Sequence, residues 1–370
     1  MKVDPKTVVE GDVMTLTCDT RPSRYRMTAE LKYSFYRDGR KVQEPGSSRK
    51  YKVHHVNQEL SGNYKCEVST TNGVKKQSRE QYIPVQELFF HPNITTKSNP
   101  VVEGDHMILS CNTTLSSHRP TTDLKFAFYR DGEKVQEYNS SNTYGIRSVQ
   151  AANSGEYSCK VSAANTVTKH SQKKYINVQE LFTVPQMQVE PDPVVEGDTM
   201  TLTCNVTLSP YRATTELRYT FYRDGRTVQE TNSSREYKVQ PVKLRDSGNY
   251  KCEVSTTNGV KKQSQERHIL VKDLFSTPEI HVNPHLVVEG NRMTLTCNAS
   301  LSRGRKTTDL RYTFYRDGRT VQELGLFTEY KVQPVKPRDS GNYKCAVSTT
   351  NGVKKISQEQ HILVQGYQAV

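Results

Sequence analysis

Eight cysteines frame this chain. Cys18 and Cys66, Cys111 and Cys159, Cys204 and Cys252, and Cys297 and Cys345 are each 48 residues apart, and successive pairs step by 93. Four such units account for the 370 residues, so the fold is a repeated one. The text between the cysteines repeats as well. Val8-Val9-Glu10-Gly11-Asp12 returns at Val101, at Val194 and, ending in Asn291, at Val287. Phe35-Tyr36-Arg37-Asp38-Gly39 returns at Phe128, Phe221 and Phe314. The expected units are 1–86, 87–179, 180–272 and 273–370.

Two cysteines per unit have three readings. Zinc sites cluster Cys or His two to four residues apart, and these cysteines are isolated. Buried free thiols are the bland reading. An even count in every unit, in a chain carrying N-glycosylation sequons, favours disulfides and an oxidising compartment. Closing a loop of this length stabilises a domain by roughly 4 kcal/mol in the chain-entropy model. A unit this small, in a chain only 34% hydrophobic with mean hydropathy −0.76, benefits from such help.

Local pattern points to strands. Met14, Leu16 and Cys18 alternate with Thr15 and Thr17; Leu31, Tyr33 and Phe35 with Lys32 and Ser34; Tyr64, Cys66 and Val68 with Lys65 and Glu67. A period of two means a strand with one buried face. Asp38-Gly39 and Asn72-Gly73 read as two-residue hairpin turns. No stretch sustains a helical period. Two antiparallel sheets pinned by one cross-sheet disulfide satisfy the pattern.

The second-cysteine strand carries a resemblance. Asp246-Ser247-Gly248-Asn249-Tyr250-Lys251-Cys252 is similar to an immunoglobulin-domain signature, with its Tyr two residues before the Cys. The Asp is Leu60 in the first unit and Asn153 in the second, so its contact is dispensable. Together with the Val-Val-Glu-Gly-Asp and Phe-Tyr-Arg-Asp-Gly segments, all four units resemble Fc receptor-like proteins. The resemblance implies an all-β chain of four tandem immunoglobulin-like β-sandwiches, each with one inter-sheet disulfide. It also accounts for the absence of Trp: Phe35, Phe128, Phe221 and Phe314 stand where a core Trp packs on the disulfide. A tryptophan clamp of the kind Fc receptors use is excluded.

Function reads as binding without catalysis. The ten His share no position across the units: only His268 and His361 correspond, with Tyr82 and Tyr175 elsewhere. No phosphate-binding glycine loop or metal cluster stands out, so no enzyme, cofactor or metal is expected. The net charge of +13 invites nucleic acid, but basic residues alternate with acids and no basic run reaches five. Nucleic acid is therefore not an expected partner. Residues 1–86 carry 16 basic and 10 acidic side chains, and this excess admits anionic glycans as partners. The resemblance implies a protein ligand, immunoglobulin or MHC-type, and an immune cell-surface receptor. A homophilic or heterophilic adhesion protein and a secreted receptor are the alternatives. No apolar run of about 18 residues is present, and Met1–Pro5 offers no apolar core for a signal peptide, so neither feature is expected in this chain. The expected location is the extracellular side of the plasma membrane, or secretion.

Sequons mark the expected surface: Asn93, Asn112, Asn139, Asn205, Asn232 and Asn298. Three of them directly follow a first-pair cysteine that points inward. The first unit has none, with Asp19 at that position. Its tip is the candidate ligand surface, built from Arg21, Arg24, Tyr25 and Arg26 beside Asn72, Lys75 and Lys76, residue types common at hot spots. A rival surface is the outward row Tyr36, Tyr129, Tyr222 and Tyr315, for which packing against Lys and Arg stems is the simpler account. At the junctions, Leu88-Phe89, Leu181-Phe182 and Leu274-Phe275 are expected to be partly buried between units, the alternative being the following unit's own core.

Overall fold

The period-two segments become short strands. The computed structural model describes residues 1–21, 30–163, 166–305 and 308–366. The first domain contains β1 (Lys2–Asp4), β2 (Val8–Val9), β3 (Met14–Thr17), β4 (Leu31–Arg37), β5 (Arg40–Gly46), β6 (Lys50–Val53), β7 (Gly62–Thr70), β8 (Lys75–Gln77), β9 (Gln81–Ile83) and β10 (Val85–Gln86). One sheet runs β1-β3-β6; the other runs β5-β4-β7-β8 with β9 also on β7; β2 and β10 form a parallel pair. The other three domains repeat both sheets, and an isolated bridge, Val195–Lys272, replaces the parallel pair in the third. Met14 and Leu16 are fully buried while Thr15 and Thr17 are only partly so, which is the alternation made physical.

Disulfides Cys18–Cys66, Cys111–Cys159, Cys204–Cys252 and Cys297–Cys345 join the two sheets of each domain, with Cα atoms 6.0, 6.1, 6.2 and 6.1 Å apart. Phe35, Phe128, Phe221 and Phe314 are fully buried, each paired in register with its domain's second Cys. Each also packs on a Tyr ring 5.6–5.9 Å away: Tyr51, Tyr144, Tyr237 or Tyr330. Phe thus serves as the core aromatic without Trp.

The repeated motifs hold one another. Asp38 and Gly39 take φ of 48° and 78°, as a two-residue hairpin of this hand requires. The Asp38 carboxylate then accepts the Asn63 N–H at 2.8 Å. It sits so close that a Cβ on Gly62 would lie 2.5 Å from its oxygen. Asp131, Asp224 and Asp317 repeat the contact, so the Asp-Gly turn and the later Gly travel together. Tyr64, Tyr157, Tyr250 and Tyr343 each donate from the hydroxyl to the carbonyl four residues upstream, at 2.6–2.7 Å. The variable Asp has a role after all. Arg223 and Arg316 donate to Asp246 and Asp339, whereas Arg37 and Arg130 donate to the Glu59 and Ala152 carbonyls instead. A backbone acceptor substitutes for the carboxylate.

Two expectations change. Asn72-Gly73 is not a two-residue turn. Thr70 N–H donates to Val74 O and Gly73 N–H to Thr70 O, each at 3.0 Å, and of the pair only Gly73 has positive φ. This is a three-residue loop with Gly in the left-handed position. The Leu-Phe pairs are not half-buried spacers either. Leu88 and Phe89 are buried in the core with Cys111, Cys159 and Val161, and Leu274 and Phe275 with Cys297, Cys345 and Val347. These two pairs belong to the following domain's core, joined there by Val9 and Val195 of the preceding one.

The chain divides into two compact units, Met1–Leu181 and Phe182–Val370. Each holds two sandwiches.

Candidate ligand-binding surface

The candidate surface begins where β3 ends and β7 turns into β8. Arg21, Asn72 and Lys76 line one cleft of about 520 Å³, so the structure brings these three together. Lys75 departs from them. Successive residues of a strand face opposite ways, and Lys75 instead reaches Glu67 at 3.5 Å. Glu67 also accepts from Gln77 Nε2 at 2.8 Å and from the Tyr36 hydroxyl at 3.4 Å. The Gln77 hydrogen bond, with Lys75 behind it, holds the Glu67 carboxyl below the usual carboxylate range against the opposing effect of burial. Arg24, Tyr25 and Arg26 lie outside the described residues.

Sequence reading missed the floor of this cleft. Leu31, Val68 and Val74 line it together with the Cys18–Cys66 bridge. A signal was present. Lys76 recurs as Lys169, Lys262 and Lys355, and Val74 as Val167, Val260 and Val353. Of these, Lys169 and Lys355 stand at domain joints.

Within the 1–181 unit, the Val8–Asp12 turn meets the second domain. Gly11 has φ +84°, which favours glycine, and a Cβ there would press within 3.1 Å of Thr166 Oγ1 and Val167 Cγ2. Asp12 accepts from Val9 N–H at 3.0 Å and from Arg119 at 2.6 Å. Glu10 accepts the Leu88 N–H at 3.1 Å and pairs with buried Lys169 at 2.9 Å. Within the 182–370 unit the same joint recurs. Asp198 pairs with Arg305 at 2.6 Å, Glu196 with Lys355 at 3.5 Å, and Asn351 Nδ2 donates to Gly197 O at 3.2 Å. The Val-Val-Glu-Gly-Asp motif is therefore joint hardware.

The outward tyrosines are occupied locally. Lys65 lies 5.9 Å from the Tyr36 ring, Lys160 4.5 Å from Tyr129, Lys251 5.8 Å from Tyr222 and Lys354 5.9 Å from Tyr315. His268 and His361 hydrogen-bond Asn249 and Asn342 beside them, while Tyr82 and Tyr175 are exposed. Asn93, Asn112, Asn139, Asn232 and Asn298 are exposed and Asn205 is partly buried. Among the described residues no His, Cys, Asp and Glu gather in threes around a common point, and no helix is long and apolar enough to cross a membrane.

Comparison with known proteins agrees with this architecture. A family model for the immunoglobulin domain matches residues 1–83, 91–179, 184–271 and 277–364. Fc receptor-like protein 6 of Homo sapiens is 30% identical over 283 residues, covering 74% of this chain and 63% of that protein. Fc receptor-like protein 3 of Homo sapiens is 29% identical, covering 78% of this chain and 39% of that protein. Fc receptor-like protein 5 of Mus musculus is 25% identical, covering 93% and 56%. The chain thus spans less than two thirds of the length of these relatives, which are receptor-type proteins of the immunoglobulin superfamily. With its four sandwiches, four cross-sheet disulfides and four matched segments, the chain belongs to the immunoglobulin-domain family and is similar along most of its length to Fc receptor-like proteins.

Proposed function

We propose that this chain is the ligand-binding extracellular part of an Fc receptor-like immune cell-surface receptor, recognising a protein ligand without catalysis. The observation that carries this reading is the match to Fc receptor-like proteins across most of the chain, repeated in two species. An immunoglobulin or an MHC-type molecule is the ligand class, and contact runs through the first-domain tip. Arg21 and Lys75 stand there on an exposed surface, in the one domain without a sequon. The sequons at Asn93, Asn112, Asn139, Asn205, Asn232 and Asn298 all fall in the other three domains.

Surface plasmon resonance with the glycosylated chain against purified immunoglobulin isotypes and MHC-type molecules tests the reading. Saturable capture of one of them, weakened about tenfold by Arg21→Ala with Lys75→Ala, is expected from the loss of central charged contacts. Capture that ignores both substitutions overturns the assignment of the tip. Self-association in sedimentation, with no capture at all, replaces the receptor reading with adhesion.

A further inference from the structure

The outer face of the larger sheet carries a row of side chains, one from each strand, and in the fourth domain that row turns apolar. The strands there are Arg319–Gly325, Arg311–Arg316, Gly341–Ser348 and Lys354–Ile356, in that order across the sheet. Tyr312 and Phe314 are buried in the core, so Thr313 between them points outward. Thr313 pairs in register with Ala346, and Ala346 with Ile356. Leu324 lies in the bulge opposite Thr313, and the third-domain counterparts of these two, Thr231 and Thr220, hydrogen-bond at 2.7 Å. At the same step of 93, Ala346 and Ile356 stand where the first domain has Glu67 and Gln77, the second Lys160 and His170, and the third Glu253 and Gln263.

The exchange leaves apolar surface and two charges without partners. Glu67 and Glu253 accept from Gln77 and Gln263 at 2.8 Å and pair with Lys75 and Lys261 at 3.5 and 3.9 Å. In the fourth domain Leu324 and Ile356 are 51% and 48% exposed on the row instead. Lys354, the counterpart of Lys75 and Lys261, reaches the Tyr315 hydroxyl at 3.5 Å but makes no ion pair among the described residues. At the opposite edge, Glu323 has Thr320 where Glu44 and Glu137 have Lys41 and Lys134 at 3.2 and 2.9 Å. Glu323 likewise makes no ion pair among the described residues. Position 325 is Gly where the second and third domains have the sequons at Asn139 and Asn232, and exposed Leu326 and Phe327 follow it. A following domain does not cover this face. Pro45 and Gln77 in the first domain, and Thr231 and Gln263 in the third, remain exposed although another domain follows in the same unit.

We propose that this face is the contact between two copies of the chain, with their fourth domains packed sheet against sheet about a two-fold axis. Such a contact sets one surface against itself, so groups at opposite edges must complement each other. An axis along the strands exchanges the edges. It lays Leu324 over Ile356 of the second copy and Glu323 beside Lys354 of the second copy. The apolar rows leave water and both unpaired charges gain a partner. The equivalent faces suit this contact less well. In the first and third domains the row holds a carboxylate already bonded within its own sheet, and in the second it holds Lys160, which would meet its own like charge. The pairing is independent of what the first-domain tip captures and goes beyond the receptor reading.

Sedimentation velocity of the whole chain, from a glycosylating host and over a concentration series, tests the pairing. A concentration-dependent dimer is expected. Leu324→Asp with Ile356→Asp should weaken it more than about tenfold and leave thermal unfolding unchanged, because both side chains are exposed. Glu323→Lys and Lys354→Glu should each weaken it about threefold, and the two together should restore it. Gly325→Asn with Phe327→Ser supplies a sequon at the position Asn232 holds in the third domain, and its glycan should keep the chain monomeric. A monomer at every concentration up to about 1 mM overturns the proposal. So does a dimer indifferent to Leu324 and Ile356, or a double charge reversal that fails to restore association. Surface plasmon resonance reads capture by the first-domain tip separately on the Leu324→Asp, Ile356→Asp chain, so the pairing and the receptor reading can each fail alone.

Discussion

The first and second domains share a sandwich, a disulfide and a capping lysine, yet they use the lysine differently. Lys169 is 8% exposed, holds Glu10 and Glu87 at 2.9 and 3.6 Å, and covers Phe89. Lys76 is exposed and covers an open cleft. In the second domain this surface builds a joint with the Glu87-Leu88-Phe89 segment; in the first, Lys76 lines a cleft with Arg21 and Asn72. Identity of sequence at a repeated position does not mean identity of role.

Substitutions can break this contrast. Phe89→Ala should cost the second domain about 3–5 kcal/mol, the usual range for emptying an aromatic site in a core. Hydrogen exchange on the full chain should localise the loss to residues 94–178 and leave the first domain protected. Uniform loss across both domains would mean that Phe89 is not part of one domain's core. Next in size, Lys169→Ala strands two acidic groups and should cost about 3 kcal/mol. Lys76→Ala should stay within about 0.5 kcal/mol, as an exposed change does. Equal effects in thermal unfolding would show that the two lysines are in the same environment.

The smallest expected effect concerns pH. Position 67 repeats as Glu67, Lys160, Glu253 and Ala346. Glu67 has a carboxyl lowered in the folded state by Gln77 and Lys75, so its stabilising contribution is complete above the ordinary Glu value of 4.5. It is lost as pH falls through the lowered folded value. The second domain, with Lys160 over Tyr129 at that place, lacks this dependence. Amide exchange in β7 and β8 should therefore accelerate on acidification below about pH 4.5, ahead of residues 155–170. Simultaneous acceleration would refute a role for Glu67.

Much of the fold was legible because its signals are local or strictly periodic. Alternation in Met14–Cys18 marks a strand, Asp38-Gly39 marks a turn, and a Tyr two before a Cys marks the corner it builds. The candidate surface was half legible. Arg21, Asn72 and Lys76 do meet, but Lys75 faces the other way, and the apolar floor of Leu31, Val68 and Val74 showed in the sequence only as the recurrence of Val74 at Val167, Val260 and Val353. Asn72-Gly73 misled because a positive-φ dipeptide fits both a two-residue loop and the end of a three-residue one. Only the Thr70–Val74 hydrogen bonds distinguish them.

The sequence by itself determined the four-fold repeat, the cysteine pairs, the strands and the Phe that replaces Trp in every core. Each of these is encoded within a few residues or by a fixed step of 93. Only the tertiary structure decided where the Leu-Phe pairs go and which lysine is buried at a joint. Those outcomes rest on contacts between residues 107 apart, as for Asp12 and Arg119, or 80 apart, as for Lys355 and the Phe275 carbonyl. Such contacts depend on shape and burial, and no neighbouring residue announces them.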